Sequence, residues 1–253
     1  MKKSILAFLC AFSFTAFAQE ETQQNSSPFS NNLISDRPGI SFGANVLDYQ
    51  TFQLEGGTNW LRPEYSDKER SMTTYAEARI GLKNNFEVSL GGGRSSFSNY
   101  PTAPPFENHS NYYLQGRKAL LQQPKKWLDH LDLIAQFNVY QGSNNADHIR
   151  LFLVADKYLG SGFTLGLNID YILDTFGTSA SGSVLAVDYA VLPGFHVFSE
   201  TKAINERQFL YFINDLGLAF MLSPKVQLDV YGMYDLNIDQ GGWFVNAGLV
   251  IRP

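Results

Sequence analysis

Every second residue is apolar or aromatic along the C-terminal segment 209–252. Strict alternation of this kind indicates β-strands that place one face against an apolar medium and the other against something more polar. The pattern runs through three successive segments, whose alternating members are Leu216, Leu218 and Phe220, then Val226, Leu228, Val230 and Tyr234, and then Trp243, Val245, Ala247, Leu249 and Ile251.

The same unit recurs upstream, so the chain is predicted to be all-β. Each segment has about 8–13 residues, close to the ~9–11 that a tilted strand needs to cross a bilayer. We therefore expect an antiparallel, up-and-down transmembrane β-barrel of about twelve strands. The predicted strands are Thr51–Trp60, Met72–Leu82, Phe86–Gly93, Asn111–Leu120, Leu131–Tyr140, His148–Lys157, Phe163–Tyr171, Ser183–Val191, Phe195–Lys202, Phe209–Met221, Val226–Tyr234 and Trp243–Ile251.

The connections alternate in length, as they do in outer-membrane barrels with short periplasmic turns and longer outer loops. Two connections break this rule: Leu121–His130 is longer than expected, and Ala203–Arg207 is shorter. The predicted short turns are Lys83–Asn85, Tyr158–Ser161, Leu192–Gly194 and Leu222–Lys225, and the predicted long loops are Leu61–Ser71, Arg94–Ser110, Gln141–Asp147, Ile172–Gly182 and Asp235–Gly242.

A soluble barrel would show the same alternation with the apolar face inside. Strand length, aromatic residues near the strand ends and the scarcity of basic residues on the apolar face favour the membrane version. Lys118 and Lys157 are the exceptions on that face, and both lie near strand ends.

The N-terminus reads as a secretory signal. Lys2 and Lys3 precede an apolar stretch, and Ala16-Phe17-Ala18 forms a small-x-small cleavage site. This predicts a signal peptide over 1–18, a polar periplasmic leader with a turn segment over 19–50, and a barrel over 51–253. The turn segment contains Asp36-Arg37-Pro38.

Composition narrows the function. The one cysteine, Cys10, lies in the predicted signal, so no thiol chemistry is expected in the mature chain. Removing Lys2 and Lys3 takes the formal charge from −5 to −7, and an acidic chain disfavours nucleic-acid binding. The expected surroundings are outer-membrane lipid.

Short motifs resemble those of a family of bacterial outer-membrane barrels labelled transporters of the phenol-degradation meta-pathway type. They are Asp36-Arg37-Pro38 with 52–57 (FQLEGG), 196–200 (HVFSE), and the closing strands 216–218, 226–229 and 243–249. The resemblance implies an outer-membrane barrel that passes solutes, hydrophobic or aromatic compounds among them. The chain departs from many such barrels by ending in Ile251-Arg252-Pro253 rather than on an aromatic residue that helps assembly.

If the apolar side faces lipid, the other side faces the lumen. Acids outnumber bases there, which predicts either a cation-favouring lumen or a binding path for polar parts of a solute. The alternative is a charge network that plugs a narrow barrel. The candidate lumen residues are Glu55, Glu77, Arg79, Glu87, Arg117, Asp132, Arg150, Asp156, Asp170, Asp188, Glu200, Lys202, Asp215 and Asp229.

The sequence contains no motif that strongly predicts a catalytic or metal site. His109 and Ser110 are adjacent, so on a strand they would point to opposite faces, and His109 reads more simply as a loop residue. His130, His148 and His196 lack metal-ligand spacing, and Gly91-Gly92-Gly93 reads as room at the barrel wall. No enzyme, metal or cofactor is expected.

The main hypothesis is therefore passive passage of a small solute across the outer membrane. The runner-up is a non-conducting barrel with a structural or surface-interaction role, and the third is a membrane hydrolase that depends on Ser110. A barrel of this class would depend on the outer-membrane assembly machinery during biogenesis.

Overall fold

A computed structural model describes residues 42–63, 69–99, 107–121, 127–141, 147–174, 179–206, 209–235 and 242–253. The predicted signal peptide, the segment 19–41 with Asp36-Arg37-Pro38, and the centres of several loops lie outside these residues. In the described part of the chain, no helix is long and apolar enough to cross a membrane.

Twelve antiparallel strands form one closed barrel in which each strand pairs with its sequence neighbours, and β1 pairs with β12. The predicted all-β, up-and-down barrel of about twelve strands is confirmed. The strands are β1 Phe52–Pro63, β2 Glu69–Leu82, β3 Phe86–Asn99, β4 Glu107–Leu121, β5 His130–Gln141, β6 His148–Gly160, β7 Phe163–Asp174, β8 Ser179–Leu192, β9 Phe195–Glu206, β10 Phe209–Ser223, β11 Val226–Asp235 and β12 Gly242–Ile251.

The alternation is turned inside out relative to a soluble protein. Outward side chains such as Leu90, Leu216 and Leu222 are 63–64% exposed, whereas the inward Arg79 and Arg117 are 0% exposed. An apolar outer face this large needs an apolar surrounding to cover it. The soluble alternative, with its apolar face inside, is therefore wrong for this fold.

Aromatic side chains strengthen the outer face at the end of the barrel that carries the short turns. Phe163 on β7 stacks on Tyr189 of β8, with ring centroids 4.3 Å apart, and Phe195 on β9 stacks on Phe220 of β10 at 4.7 Å. Both are directly opposed cross-strand pairs, which stabilise neighbouring strands by about 0.2–1 kcal/mol each.

The loop predictions need correction because several strands run past the alternating apolar band. The predicted loop Arg94–Ser110 is strand up to Asn99 and again from Glu107, so His109 lies on β4 and not in a loop. Strand residues likewise replace the ends of the loops predicted at Leu61–Ser71 and Ile172–Gly182. Polar cross-strand contacts continue the ladder there, such as the hydroxyl pair Thr73–Ser95 at 2.8 Å. Hydrophobic alternation carries no signal for such a polar extension.

The short turn predicted at Lys83–Asn85 is confirmed, whereas those predicted at Tyr158–Ser161, Leu192–Gly194 and Leu222–Lys225 shrink to 161–162, 193–194 and 224–225, because β6 continues to Gly160, β8 to Leu192 and β10 to Ser223. β2 and β3 are joined by Lys83-Asn84-Asn85, and both asparagines have a positive φ (59° and 56°), a conformation that asparagine tolerates better than most residues. The long connection between β4 and β5 is also confirmed, since β4 ends at Leu121 and β5 begins at His130. The connection predicted at Ala203–Arg207 shrinks, because β9 continues to Glu206.

Candidate functional site

The interior of the barrel holds the charged residues that the alternation singled out. Asp188 and Arg150 keep some exposure, with side chains 34% and 25% exposed. Asp156 and Lys202 are partly buried. The other ten of the fourteen candidates are at most 9% exposed: Glu55, Glu77, Arg79, Glu87, Arg117, Asp132, Asp170, Glu200, Asp215 and Asp229. Their role as the lining of a solute path remains a prediction.

Arg79 is the centre of a buried ion cluster on β1, β2 and β3. Its Nε and Nη2 donate to the two carboxylate oxygens of Glu87 at 2.8 and 3.0 Å, and its Nη1 donates to Glu55. Gln53 Nε2 also donates to Glu55 at 3.0 Å. A bidentate arginine–carboxylate pair fixes geometry as well as charge, so this cluster ties three neighbouring strands together.

A tyrosine crosses one strand to reach a carboxylate on the next. Tyr113 on β4 donates its hydroxyl to Glu77 on β2 at 3.0 Å. Its ring lies over Gly91 of the intervening strand β3, where a Cβ would overlap it. The glycine therefore makes room at the barrel wall, as the sequence suggested.

Further pairs link neighbouring strands on the interior. Arg150 Nη2 donates to Asp170 Oδ2 at 2.9 Å, and His196 Nδ1 lies 2.9 Å from Asp188 Oδ1.

The end of the predicted periplasmic leader, Phe42–Gln50, contacts the inside of the barrel. Thr51 donates its N–H to the carbonyl of Asp48 at 3.0 Å, and this turn sends the preceding residues back along the inner wall. Ala44 and Leu47 are 0% and 1% exposed. Sequence reasoning missed this contact, although the alternation of Phe42, Ala44 and Val46 was a usable signal.

Side chains from four strands hold this segment. Phe42 N–H donates to Asn168 Oδ1 at 2.6 Å, and Asn168 Nδ2 donates to the carbonyl of Phe42 at 3.1 Å. Ala44 N–H donates to Asp156 at 2.8 Å, and Arg117 donates to the carbonyl of Asn45 at 2.9 Å. The fourth side chain is Glu87, which accepts from Leu47 N–H at 2.8 Å.

The opposite wall, on β9, β10 and β11, is acidic and aromatic. Phe198 and Tyr231 meet edge to face over Gly217, with ring centroids 6.1 Å apart. Glu200 and Asp215 face each other directly on β9 and β10. Asp229 lies two residues before Tyr231 on β11, and alternation therefore places it on the same inner face. The two rings are flanked by three carboxylates that are 3–4% exposed.

Two lysines on the outer face bind residues that connect strands at the end of the barrel with the short turns. Lys118 donates to the carbonyl of Asn84, and Lys157 donates to Asp129 Oδ1 at 2.8 Å. Partial burial alone would raise the pKa of Asp129, but hydrogen bonds from Lys157 and from the N–H of Tyr158 lower it overall. These contacts explain how the lipid face accommodates its two basic residues near strand ends.

Catalytic and metal chemistry gain no geometric support in the described part of the chain. His109 and Ser110 are consecutive residues of strand β4, an arrangement that the sequence already disfavoured for a serine–histidine pair. No group of three or more His, Cys, Asp or Glu residues among those described is arranged to hold a metal ion.

Comparison with solved structures agrees with the barrel. The chain is similar to the KdgM porin in complex with disordered oligogalacturonate (TM-score 0.57, 8% identity, covering 78% of this chain and 98% of that one). It is also similar to the NanC porin (0.58, 10%, 80% and 100%) and to outer membrane phospholipase A from Escherichia coli (0.53, 12%, 87% and 97%). No family model and no curated protein sequence matches the chain. Identities this low show the fold alone.

Proposed function

We propose that this chain is a bacterial outer-membrane channel for passive passage of small solutes. The observation that carries the proposal is the acidic, aromatic wall on β9–β11 inside a closed barrel with an apolar outer face. The outer face suits hydrocarbon, and an interior lined by charge suits a polar path. The predicted signal peptide, export to the outer membrane and dependence on the assembly machinery belong to the same proposal.

The wall also supports a class of solute. Carboxylates at Glu200, Asp215 and Asp229 attract positive charge and repel negative charge. The rings of Phe198 and Tyr231 offer apolar surface and attract cations through their faces. Solutes that carry an aromatic ring with no negative charge fit this wall, in line with the hydrophobic or aromatic compounds that the sequence resemblance implies. An acidic sugar such as oligogalacturonate, the ligand of the similar KdgM porin, fits it poorly.

A matched pair of solutes tests this proposal. Benzyltrimethylammonium and benzenesulfonate carry the same ring with opposite permanent charges, so neither crosses lipid readily. Liposomes containing the protein should take up the cation several-fold faster than the anion. Asp229→Asn should lower the ratio of the cation uptake rate to the anion uptake rate. Asp48→Asn, which neutralises an exposed acid outside the barrel wall, should change this ratio less. Uptake no faster than in protein-free liposomes, or a preference for the anion, would sink the proposal.

A non-conducting structural barrel is the second candidate, and one observation favours it. The Arg79 cluster joins β1, β2 and β3, the segment Phe42–Leu47 packs against side chains from β3 to β7, and Arg79 and Arg117 are fully buried. If packing of this kind fills the whole cross-section, the barrel will insert and unfold cooperatively yet pass neither solute.

A further inference from the structure

The contacts of the segment Phe42–Leu47 are made to its main chain. Asn168 binds both the N–H and the carbonyl of Phe42, Asp156 and Glu87 accept main-chain N–H groups, and Arg117 donates to a main-chain carbonyl. Main-chain groups are common to all peptides. These four side chains, the peptide wall, therefore recognise a peptide backbone rather than one particular set of side chains.

The segment crosses the strands in an extended path. Its partners lie in turn on β7, β6, β4 and β3, which span four strand spacings of about 4.8 Å, or about 19 Å along the wall. Five residue steps reach at most about 17–18 Å, and the path inside the barrel is shorter than the wall itself. Only a nearly extended chain of about six residues makes all of these contacts.

The wall also selects side chains at two positions. Ala44 is 0% exposed and packs with Ile134, Phe152 and Val154, so this position accepts only a small residue. Phe42 packs edge to face on Phe152, with ring centroids 4.6 Å apart, so an aromatic residue fits two positions earlier.

The barrel closes without help from this segment. All twelve strands pair with their neighbours in one closed barrel, and the contacts of Phe42–Leu47 described above come from side chains rather than from a strand edge. Glycine at position 81 accommodates the turn, because a Cβ there would overlap the main-chain oxygens of Leu47 and Asp48. The segment is thus an occupant of the interior and not a member of the sheet.

We propose that the peptide wall is a binding site for an extended peptide, which the chain's own Phe42–Leu47 fills in cis and which a second peptide of the same pattern fills when that segment leaves. The ligand is an extended stretch of about six residues with an aromatic residue followed two positions later by a small one. The channel function is not required for this inference, because peptide binding is measured without flux.

The first experiment displaces the segment in the full-length mature chain. Ala44→Trp places a large ring where there is no free space, and a folded barrel is verified by heat-modifiable gel migration. A fluorescent peptide of residues 42–50 should bind this variant saturably, and at least about tenfold more tightly than it binds the wild type, whose own segment competes. The same peptide carrying the Ala44→Trp change should not bind.

Matched wall variants locate the binding. Adding Asn168→Ala to Ala44→Trp removes both contacts to the position of Phe42, and should weaken peptide binding about tenfold. Adding Gln227→Ala, a buried amide on β11 away from the segment, should leave the affinity unchanged. Equal effects of the two changes, or no saturable binding to the folded Ala44→Trp barrel, would overturn the proposal.

A second readout avoids the bulky variant. Ala44→Cys puts a single thiol in the mature chain, since the one natural cysteine lies in the predicted signal. Maleimide should label this thiol slowly when no peptide is added. The labelling rate should rise saturably with the concentration of free 42–50 peptide, because the peptide displaces the segment. Rapid labelling without peptide, or a rate that does not respond to peptide, would contradict a cis-bound segment that can be exchanged.

Discussion

Replacing Arg79 with methionine is the sharpest test of how the interior is held together. The change keeps an apolar stem but removes the cation shared by Glu55 and Glu87, whose side chains are 3% and 1% exposed. Breaking a buried pair by removing one partner costs about 3–5 kcal/mol, because the remaining charge stays buried. We expect a loss of that size in the free energy of unfolding.

The assay is urea unfolding of the folded barrel in lipid vesicles, with the matched control Arg150→Met. Arg150 Nη2 lies 2.9 Å from Asp170, and the Arg150 side chain is 25% exposed whereas that of Asp170 is 4% exposed. Removing Arg150 opens Asp170 to water, so the loss should be smaller, about 1–3 kcal/mol. Adding Glu55→Gln and Glu87→Gln to Arg79→Met removes the stranded charges and should restore more than half of the loss. A cost for Arg79→Met no larger than that for Arg150→Met, or no recovery in the triple variant, would refute this view of the cluster.

Two further predictions concern the aromatic wall and the short-turn end. Gly217→Val should lower the free energy of unfolding in urea by about 1–3 kcal/mol, since its Cβ would overlap Phe198 and Tyr231. Gly232→Val is the control and should be nearly neutral, because its Cβ has no neighbour closer than 3.8 Å. Equal losses in the two variants would contradict the packing. The folded-state pKa of Asp129 lies below its ordinary value, so its pair with Lys157 adds stability above about pH 4 that is lost as the pH falls through the folded-state pKa. The urea midpoint should therefore fall more for wild type than for Lys157→Met between about pH 6 and about pH 3, and parallel pH profiles would show that the pair contributes nothing.

The sequence predicts the barrel well because lipid imposes a two-residue period on every strand that crosses it. That period fixes the side of the wall on which Arg79 or Asp229 lies, but not which residues meet. The bidentate pair of Arg79 with Glu87 depends on strand register, and alternation leaves register open.

The hydrophobic pattern does not predict two further features, for different physical reasons. Strand ends such as Ser95 and Ser96 are polar and extend past the apolar band, so a hydrophobic pattern ends before the hydrogen-bonded ladder does. The main chain of Phe42 hydrogen-bonds to the side chain of Asn168, which lies 126 residues further along the chain. The alternation of Phe42, Ala44 and Val46 indicates an extended segment, but it does not identify partners that only barrel closure brings close.

The reversal potential of the reconstituted protein in a planar bilayer, under a tenfold gradient of potassium chloride, tests the central claim most directly. An interior with carboxylates at Glu200, Asp215 and Asp229 predicts a measurable conductance whose reversal potential has the sign of potassium selectivity, and Asp229→Asn should move it toward zero. An inserted barrel that shows no conductance, or one that selects chloride, would contradict the account.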